Sequence, residues 1–135
     1  MRRIFLCVAL GGLTLLGIAP MASGMAATTA YVATIQTADG RFKAVIRDPV
    51  SVQKAWGELV SGMDFGIPAG PLARGDGGVN APHRWHVTEL NFADATIELC
   101  DGTARMVDQD VRYWVRTVGY FCPWSGQVIA LEPLR

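Results

Sequence analysis

Residues 95–102, ATIELCDG, and residues 119–124, GYFCPW, contain the two cysteines around which the predicted fold is built. Cys100 ends one apolar run and Cys122 precedes another, so two neighbouring strands could present their thiols to each other. A disulfide closing the loop between them would stabilise the fold by roughly 3 kcal/mol. A free thiol pair and a metal site are the alternatives, but two cysteines so far apart lack the close paired spacing of zinc modules. We therefore predict one disulfide, between Cys100 and Cys122.

The N-terminal residues have the order of an export signal. Arg2 and Arg3 precede an apolar run, and small residues follow that run. The run is short for a membrane span, whereas its length and flanks are typical of a cleavable signal. We predict a signal peptide over residues 1–26, cleaved after Ala26, which would also remove the third cysteine, Cys7. A single domain over residues 27–135 would then be secreted or periplasmic, where disulfides persist.

The charge balance restricts the class of partner. The chain has 12 basic and 12 acidic residues, and loss of Arg2 and Arg3 leaves a small excess of acidic ones. Proteins that bind nucleic acids or anionic membranes usually carry an excess of basic residues. We therefore expect no nucleic-acid partner and no membrane contact after signal cleavage. No cofactor is expected, and the partner is an unknown protein or small ligand.

Alternating apolar residues predict the strands. The dipeptide Asp39-Gly40 between two alternating runs is typical of a hairpin turn. Pro68 and Pro71 interrupt the apolar residues 65–71, which predicts an edge strand or a broken one. Strands are predicted over residues 31–36, 41–47, 95–99 and 128–131.

Two helices are predicted from capping residues and helical spacing. Asp48-Pro49 begins the first, which ends at Gly62. Within it we expect Trp56 in the core, with Lys54 and Glu58 on the outer side. Thr103 caps the second, which ends at Gly119. The predicted fold class is α+β, a mostly antiparallel sheet with two packed helices and one disulfide.

Both histidines of the chain lie in residues 79–87 and raise the question of a metal site. His83 and His86 are three positions apart, which on an extended chain directs them to opposite faces. A shared metal would need a bend, with Asp76, Glu89 or Asp101 as third ligand. We therefore expect no metal site.

Three segments in this order carry a resemblance: NAPHRWHV (80–87), ATIELCDG (95–102) and VGYFCPWS (118–125). Together they resemble the N-terminal domain of the slime-mould calmodulin-binding developmental protein family, which also occurs as small secreted bacterial proteins. The similarity covers about residues 41–131. The chain differs from the family pattern at His83, where a tryptophan is usual, and at residues 87–89, where an Asp-Pro turn follows. The resemblance implies an α+β domain without an established activity.

Calmodulin is not expected as a partner. Its targets are basic amphipathic helices with bulky anchors. Residues 106–118 offer Trp114 and three arginines, but Asp108 and Asp110 reduce the positive charge, and core packing explains the apolar stripe.

We expect a non-catalytic binding module whose candidate ligand contacts are Asn80, Trp85, His86 and Trp124. These residues lie near chain bends, and rigid aromatic groups with polar neighbours are typical of recognition sites. The alternative for both tryptophans is closure of the core. The alternative function is a small extracytoplasmic hydrolase or metal-dependent enzyme using His86 with Asp101 or Glu98, for which no nucleophile motif is visible.

Overall fold

A computed structural model describes residues 29–135. The predicted signal peptide over residues 1–26, with its cleavage after Ala26, lies outside the described residues. Within residues 29–135 no helix has the length and apolar character needed to cross a membrane. The elements follow one another as β1 (Tyr31–Thr37), β2 (Gly40–Ile46), α1 (Pro49–Ser61), β3 (Ile67–Arg74), β4 (Trp85–Val87), β5 (Asn91–Ala93), a 3₁₀ turn (Glu98–Cys100), α2 (Ala104–Gln109), α3 (Val111–Tyr113), a π-helical turn (Trp114–Val118), β6 (Tyr120–Phe121) and β7 (Gln127–Pro133).

The first sheet has the order β2-β1-β7, and both of its strand pairs are antiparallel. The predicted hairpin is confirmed: Thr37 pairs with Gly40 across a two-residue loop, and Gly40 has a φ of 117°, which glycine adopts without steric cost. The alternating residues of β2 face inward as expected, and Phe42, Ala44 and Ile46 are buried. The predicted C-terminal strand is confirmed as β7.

The second sheet is built on β3, with which β4, β5 and β6 all pair antiparallel. The prediction of an edge or broken strand here is wrong. A proline lacks the backbone donor but keeps its acceptor, and the Pro71 carbonyl accepts from the N–H of Thr88 at 2.9 Å. The neighbouring Leu72 supplies a donor, to the carbonyl of Gly119 at 3.0 Å. Pairing therefore continues on both sides of the proline.

Helix α1 has the predicted boundaries. The side chain of Asp48 accepts from the N–H of Ser51 at 2.8 Å, and this hydrogen bonding lowers the pKa of Asp48. Gly62 ends the helix with a φ of 68°. The predicted core position of Trp56 is wrong: its side chain is 41% exposed and packs edge-on against Tyr31. Ala55 takes the inward position because its small side chain lets the helix approach the sheet closely.

The segment with the two cysteines contains one error and one confirmation. Residues 95–99 do not form the predicted strand, because the chain turns into the 3₁₀ segment and leaves Ile97 and Leu99 exposed. The disulfide between Cys100 and Cys122 is confirmed, with a Cα–Cα distance of 5.1 Å. A backbone hydrogen bond of 2.9 Å from Cys122 to the Cys100 carbonyl supports it.

The predicted second helix is interrupted. It begins at Thr103, whose hydroxyl accepts from the N–H of Met106, and it ends at Gly119, as expected. Asp110 breaks it with a φ of −147°, and its side chain then accepts from Tyr113 to start the next turn. The fold is α+β, with antiparallel sheets, short helices and one disulfide. Side chains from both sheets and from the interrupted helix share one apolar core.

Candidate ligand-binding site

Trp85 lies in the centre of the core with 0% exposure. Its ring packs 5.6 Å from that of Phe42 and 5.5 Å from that of Phe121. Its Nε1–H donates to Oδ1 of Asp108 at 2.7 Å, which satisfies the one polar atom of the side chain. Of the two roles considered for Trp85, the structure has the core one.

Asn80 is also buried, at 1% exposure, and both ends of its amide are used. Oδ1 accepts from the backbone N–H of Lys43 at 2.7 Å, and Nδ2 donates to the carbonyl of Trp85 at 2.8 Å. The side chain therefore fastens the loop before β4 to β2. No polar atom of this amide remains for a ligand.

The two histidines make separate contacts. Both ring nitrogens of His83 face oxygen acceptors, the Asp108 carboxylate at 2.8 Å and the Arg41 carbonyl at 2.9 Å. His86 instead donates from Nδ1 to the carbonyl of Gly75 at 2.8 Å. Over residues 29–135, no cluster of three or more histidine, cysteine, aspartate or glutamate side chains could hold a metal ion.

Trp124 differs from the other candidates because its indole is 49% exposed and nevertheless fixed. Its backbone N–H donates to Oδ1 of Asp101 at 2.8 Å, and its Nε1–H donates to the hydroxyl of Thr96 at 2.7 Å. Cys122, two residues before it, is held by the disulfide. The side chain therefore reaches solvent from a support that is fastened at three points.

Trp124 lines a pocket of about 170 Å³ between the end of α1 and the start of β7. We call it the Glu58 pocket, after its most buried polar side chain. Its charged lining groups are the carboxyls of Glu58 and Asp64. The other lining residues are Gly62, Gly66, Trp124, Ser125, Gly126, Gln127 and Val128.

Glu58 is only 7% exposed, although the sequence analysis placed it on the outer side of α1. That prediction is wrong because Glu58, three positions after the buried Ala55, lies on the same inward helix face. Oε1 accepts from the backbone N–H of Val128 at 2.9 Å. Oε2 has no hydrogen-bond partner, which among the buried side-chain nitrogens and oxygens of residues 29–135 is true of this atom alone.

The surroundings of Glu58 disfavour its negative charge. Burial raises the pKa of its carboxyl, and the nearby negative charge of Asp64 raises it further, while the Val128 hydrogen bond acts in the opposite direction. Asp64 itself is exposed and accepts from the N–H of Gly66 at 2.8 Å. A carboxyl with a perturbed pKa in a concave site is a frequent property of functional sites.

The structure thus separates the four predicted ligand contacts. Asn80 and Trp85 lie together within the fold, His86 bonds to the turn at Gly75, and Trp124 alone lines the Glu58 pocket. Sequence reasoning missed Glu58 and Asp64. The available signal was a carboxylate on the apolar face of a helix, where a charge needs a specific reason.

Comparison with known proteins identifies one family. Residues 28–135 match the family model for the N-terminal domain of the calmodulin-binding protein that the sequence resembles. No curated protein matches the chain, and no solved structure does.

Proposed function

Since the chain belongs to this N-terminal domain family of the calmodulin-binding protein, we propose from that premise that it is a small exported binding module. In this proposal the module is non-catalytic and binds its ligand, a partner protein or a small molecule, at the Glu58 pocket. It acts in the periplasm or outside the cell. Nucleic acids, membrane lipids and calmodulin are not among its partners.

The observation that carries the proposal is the half-exposed, immobilised indole of Trp124 beside that pocket. A large aromatic side chain gives much contact area, and it loses little conformational entropy on binding if it is already fixed. The hydrogen bonds to Asp101 and Thr96 fix it before any ligand arrives. Ile97 and Leu99, exposed on the segment that Trp124 contacts, extend the apolar surface available to a partner.

The chemistry of the pocket favours recognition over catalysis. Its functional side chains are two carboxyls, an indole, a hydroxyl and an amide. Hydrolysis by a covalent route needs a nucleophile with an adjacent base. His86, the base considered for the enzyme alternative, donates to the Gly75 carbonyl, and Asp101 is bonded to the backbone of Trp124. These contacts give the enzyme alternative no support.

Export is supported by the order of residues 1–26 and by the disulfide, because disulfides persist in oxidising compartments. Intact-mass measurement of the protein recovered outside the cytoplasm should give a chain that starts at or near Ala27. Recovery of a chain that retains residues 1–20 would contradict this part of the proposal.

The binding role is tested by comparing two exposed tryptophans. Wild type, Trp124→Ala and Trp56→Ala are immobilised and used to capture partners from the native extracytoplasmic fraction, and each captured partner is identified and its affinity measured. We expect Trp124→Ala to abolish capture and Trp56→Ala, whose indole is also half-exposed, to retain it. Unfolding curves confirm that both variants are folded. Equal capture by both variants would overturn the proposed site.

A further inference from the structure

We infer that the Glu58 pocket takes a primary ammonium group on an alkyl chain, from a free amine or from a lysine side chain of a partner. This inference rests on the proposed function and adds the chemical class of the ligand. It is argued in three steps, from the unpaired oxygen, from the charge and from the size of the pocket.

The first step is the unpaired oxygen. A buried acceptor without a hydrogen bond is unfavourable, and the great majority of such atoms in native proteins are paired. Oε1 of Glu58 is already occupied by the Val128 N–H, so the unpaired Oε2 is the atom left for a ligand. A ligand that carries N–H groups supplies the missing donor, whereas a quaternary ammonium does not.

The second step is the sign of the charge. Burial and the neighbouring Asp64 both raise the pKa of Glu58, which means that a positive charge in the pocket would stabilise the ionised carboxyl. Hydrogen bonds between charged partners are roughly twice as strong as neutral ones. The pocket thus favours a cation over a neutral donor and excludes an anion.

The third step is size and lining. A pocket of about 170 Å³ accommodates several heavy atoms, and the indole of Trp124 provides the aromatic surface against which a cation and its alkyl stem pack favourably. A calcium ion takes six to eight oxygen ligands, while the pocket offers two carboxyl side chains. An organic ammonium fits this lining better than an inorganic ion.

The test uses purified full-length exported protein and calorimetric titration at neutral pH. The probes are n-butylamine, 1-butanol, n-butyltrimethylammonium, butyrate and Ca²⁺. We expect binding of n-butylamine, which is an ammonium ion at this pH, and at least roughly tenfold weaker binding of each other probe, because each lacks the charge, the N–H donors or the alkyl stem.

Three variants locate the binding. Glu58→Gln should weaken n-butylamine roughly tenfold or more, and Asp64→Asn, which changes an exposed side chain and leaves the packing intact, should weaken it by a smaller factor. Asp94→Asn removes an exposed carboxylate outside the pocket and should leave binding unchanged. If Glu58→Gln fails to fold, the comparison of Asp64→Asn with Asp94→Asn decides.

The outcomes separate the inference from the function on which it rests. Equal affinity for the trimethylated probe, binding of Ca²⁺ alone, or no binding of n-butylamine while capture still requires Trp124 would each overturn the ammonium assignment and leave the binding module in place. Capture that does not need Trp124 would overturn the proposed function itself. Competition between n-butylamine and a captured partner identifies a lysine of that partner as the ligand. Native mass spectrometry of an amine-bound chain identifies a free amine.

Discussion

The molecule contains two buried polar regions that are completed to different degrees. In the first, which we call the Asn80–Asp108 cluster, the side chains of Asn80, His83, Trp85 and Asp108 satisfy one another and the nearby backbone. In the second, the Glu58 pocket, one carboxylate oxygen remains unpaired. The first cluster joins β2, β4 and α2, whereas the second lines a pocket beside an exposed indole.

The difference separates structural polar groups from functional ones. A fully satisfied buried network gains hydrogen bonds without any outside molecule and makes the core geometry unique. A half-satisfied one costs free energy in the free protein, and proteins keep such groups where a ligand completes them. Each of the following predictions tests one side of this comparison.

The largest expected effect is that of the two tryptophans on stability. Trp85→Ala should reduce the free energy of unfolding by roughly 3–5 kcal/mol, because it leaves a cavity between Phe42 and Phe121. Trp124→Ala should cost about 1 kcal/mol or less, since its indole is half-exposed. Urea denaturation measures both. Equal losses would make Trp124 a core residue and remove the contrast between the regions.

The next effect concerns the disulfide that supports Trp124. Replacing Cys100 and Cys122 together by serine should cost roughly 2–5 kcal/mol, as removal of a native disulfide from a small secreted domain usually does. Peptide mapping without reductant should find the two cysteines linked, and wild type measured in reductant serves as the matched control. Full labelling of both thiols in the native exported protein would contradict the prediction.

A smaller effect is expected from opening the satisfied cluster. Asp108→Ala leaves the buried Nε1–H of Trp85 without its acceptor and should cost roughly 1–3 kcal/mol. Asp108→Asn should recover part of this loss, because the amide oxygen still accepts. Asp94→Ala, which removes an exposed ion pair, should change stability by about 0.5 kcal/mol or less. An Asp108 variant as stable as the Asp94 variant would show that the cluster does not stabilise the fold.

The smallest effect is the pH dependence that comes from Glu58. Its pKa is raised in the folded protein, so the folded state holds this proton more tightly than the unfolded state does. The associated stability is fully present below the unfolded pKa and is lost as the pH rises through the raised folded pKa. Relative to Glu58→Gln, the wild type should therefore gain stability on acidification across this window. Urea curves at several pH values measure the difference, and a gain in the opposite direction would contradict the pKa shift. Asp64→Asn should reduce the dependence.

Those parts of the fold that depend on local signals could be predicted from the sequence. The Asp39-Gly40 turn, the Asp48 cap and the Gly62 end of α1 need only their own neighbours, and they occur where predicted. Residues 95–99 have apolar side chains suited to a strand, but no neighbouring strand is there to pair with them. Strand formation depends on such a partner, which the sequence does not specify.

The candidate site could be predicted in part. Trp124 was identified because an aromatic residue follows a constrained cysteine and proline. Trp85 and Asn80 have the same local features, and only the packing of β2 and β4 around them distinguishes core from surface. Glu58 was missed because its inward direction depends on how α1 lies against β7, and a helical wheel alone leaves two faces open.

The pairing of β1 with β7 has a consequence for how the chain reaches its folded state. β1 lies at the start of the described chain and β7 near its end, so every other element is synthesised between the two strands. One side of β1 can pair with β2 early, but its other side keeps free backbone groups until β7 emerges. A chain exported as proposed would therefore stay unfinished throughout passage across the membrane. Its sheet would close only after the last strand arrives, which delays folding and exposes an edge that other chains could pair with in the meantime.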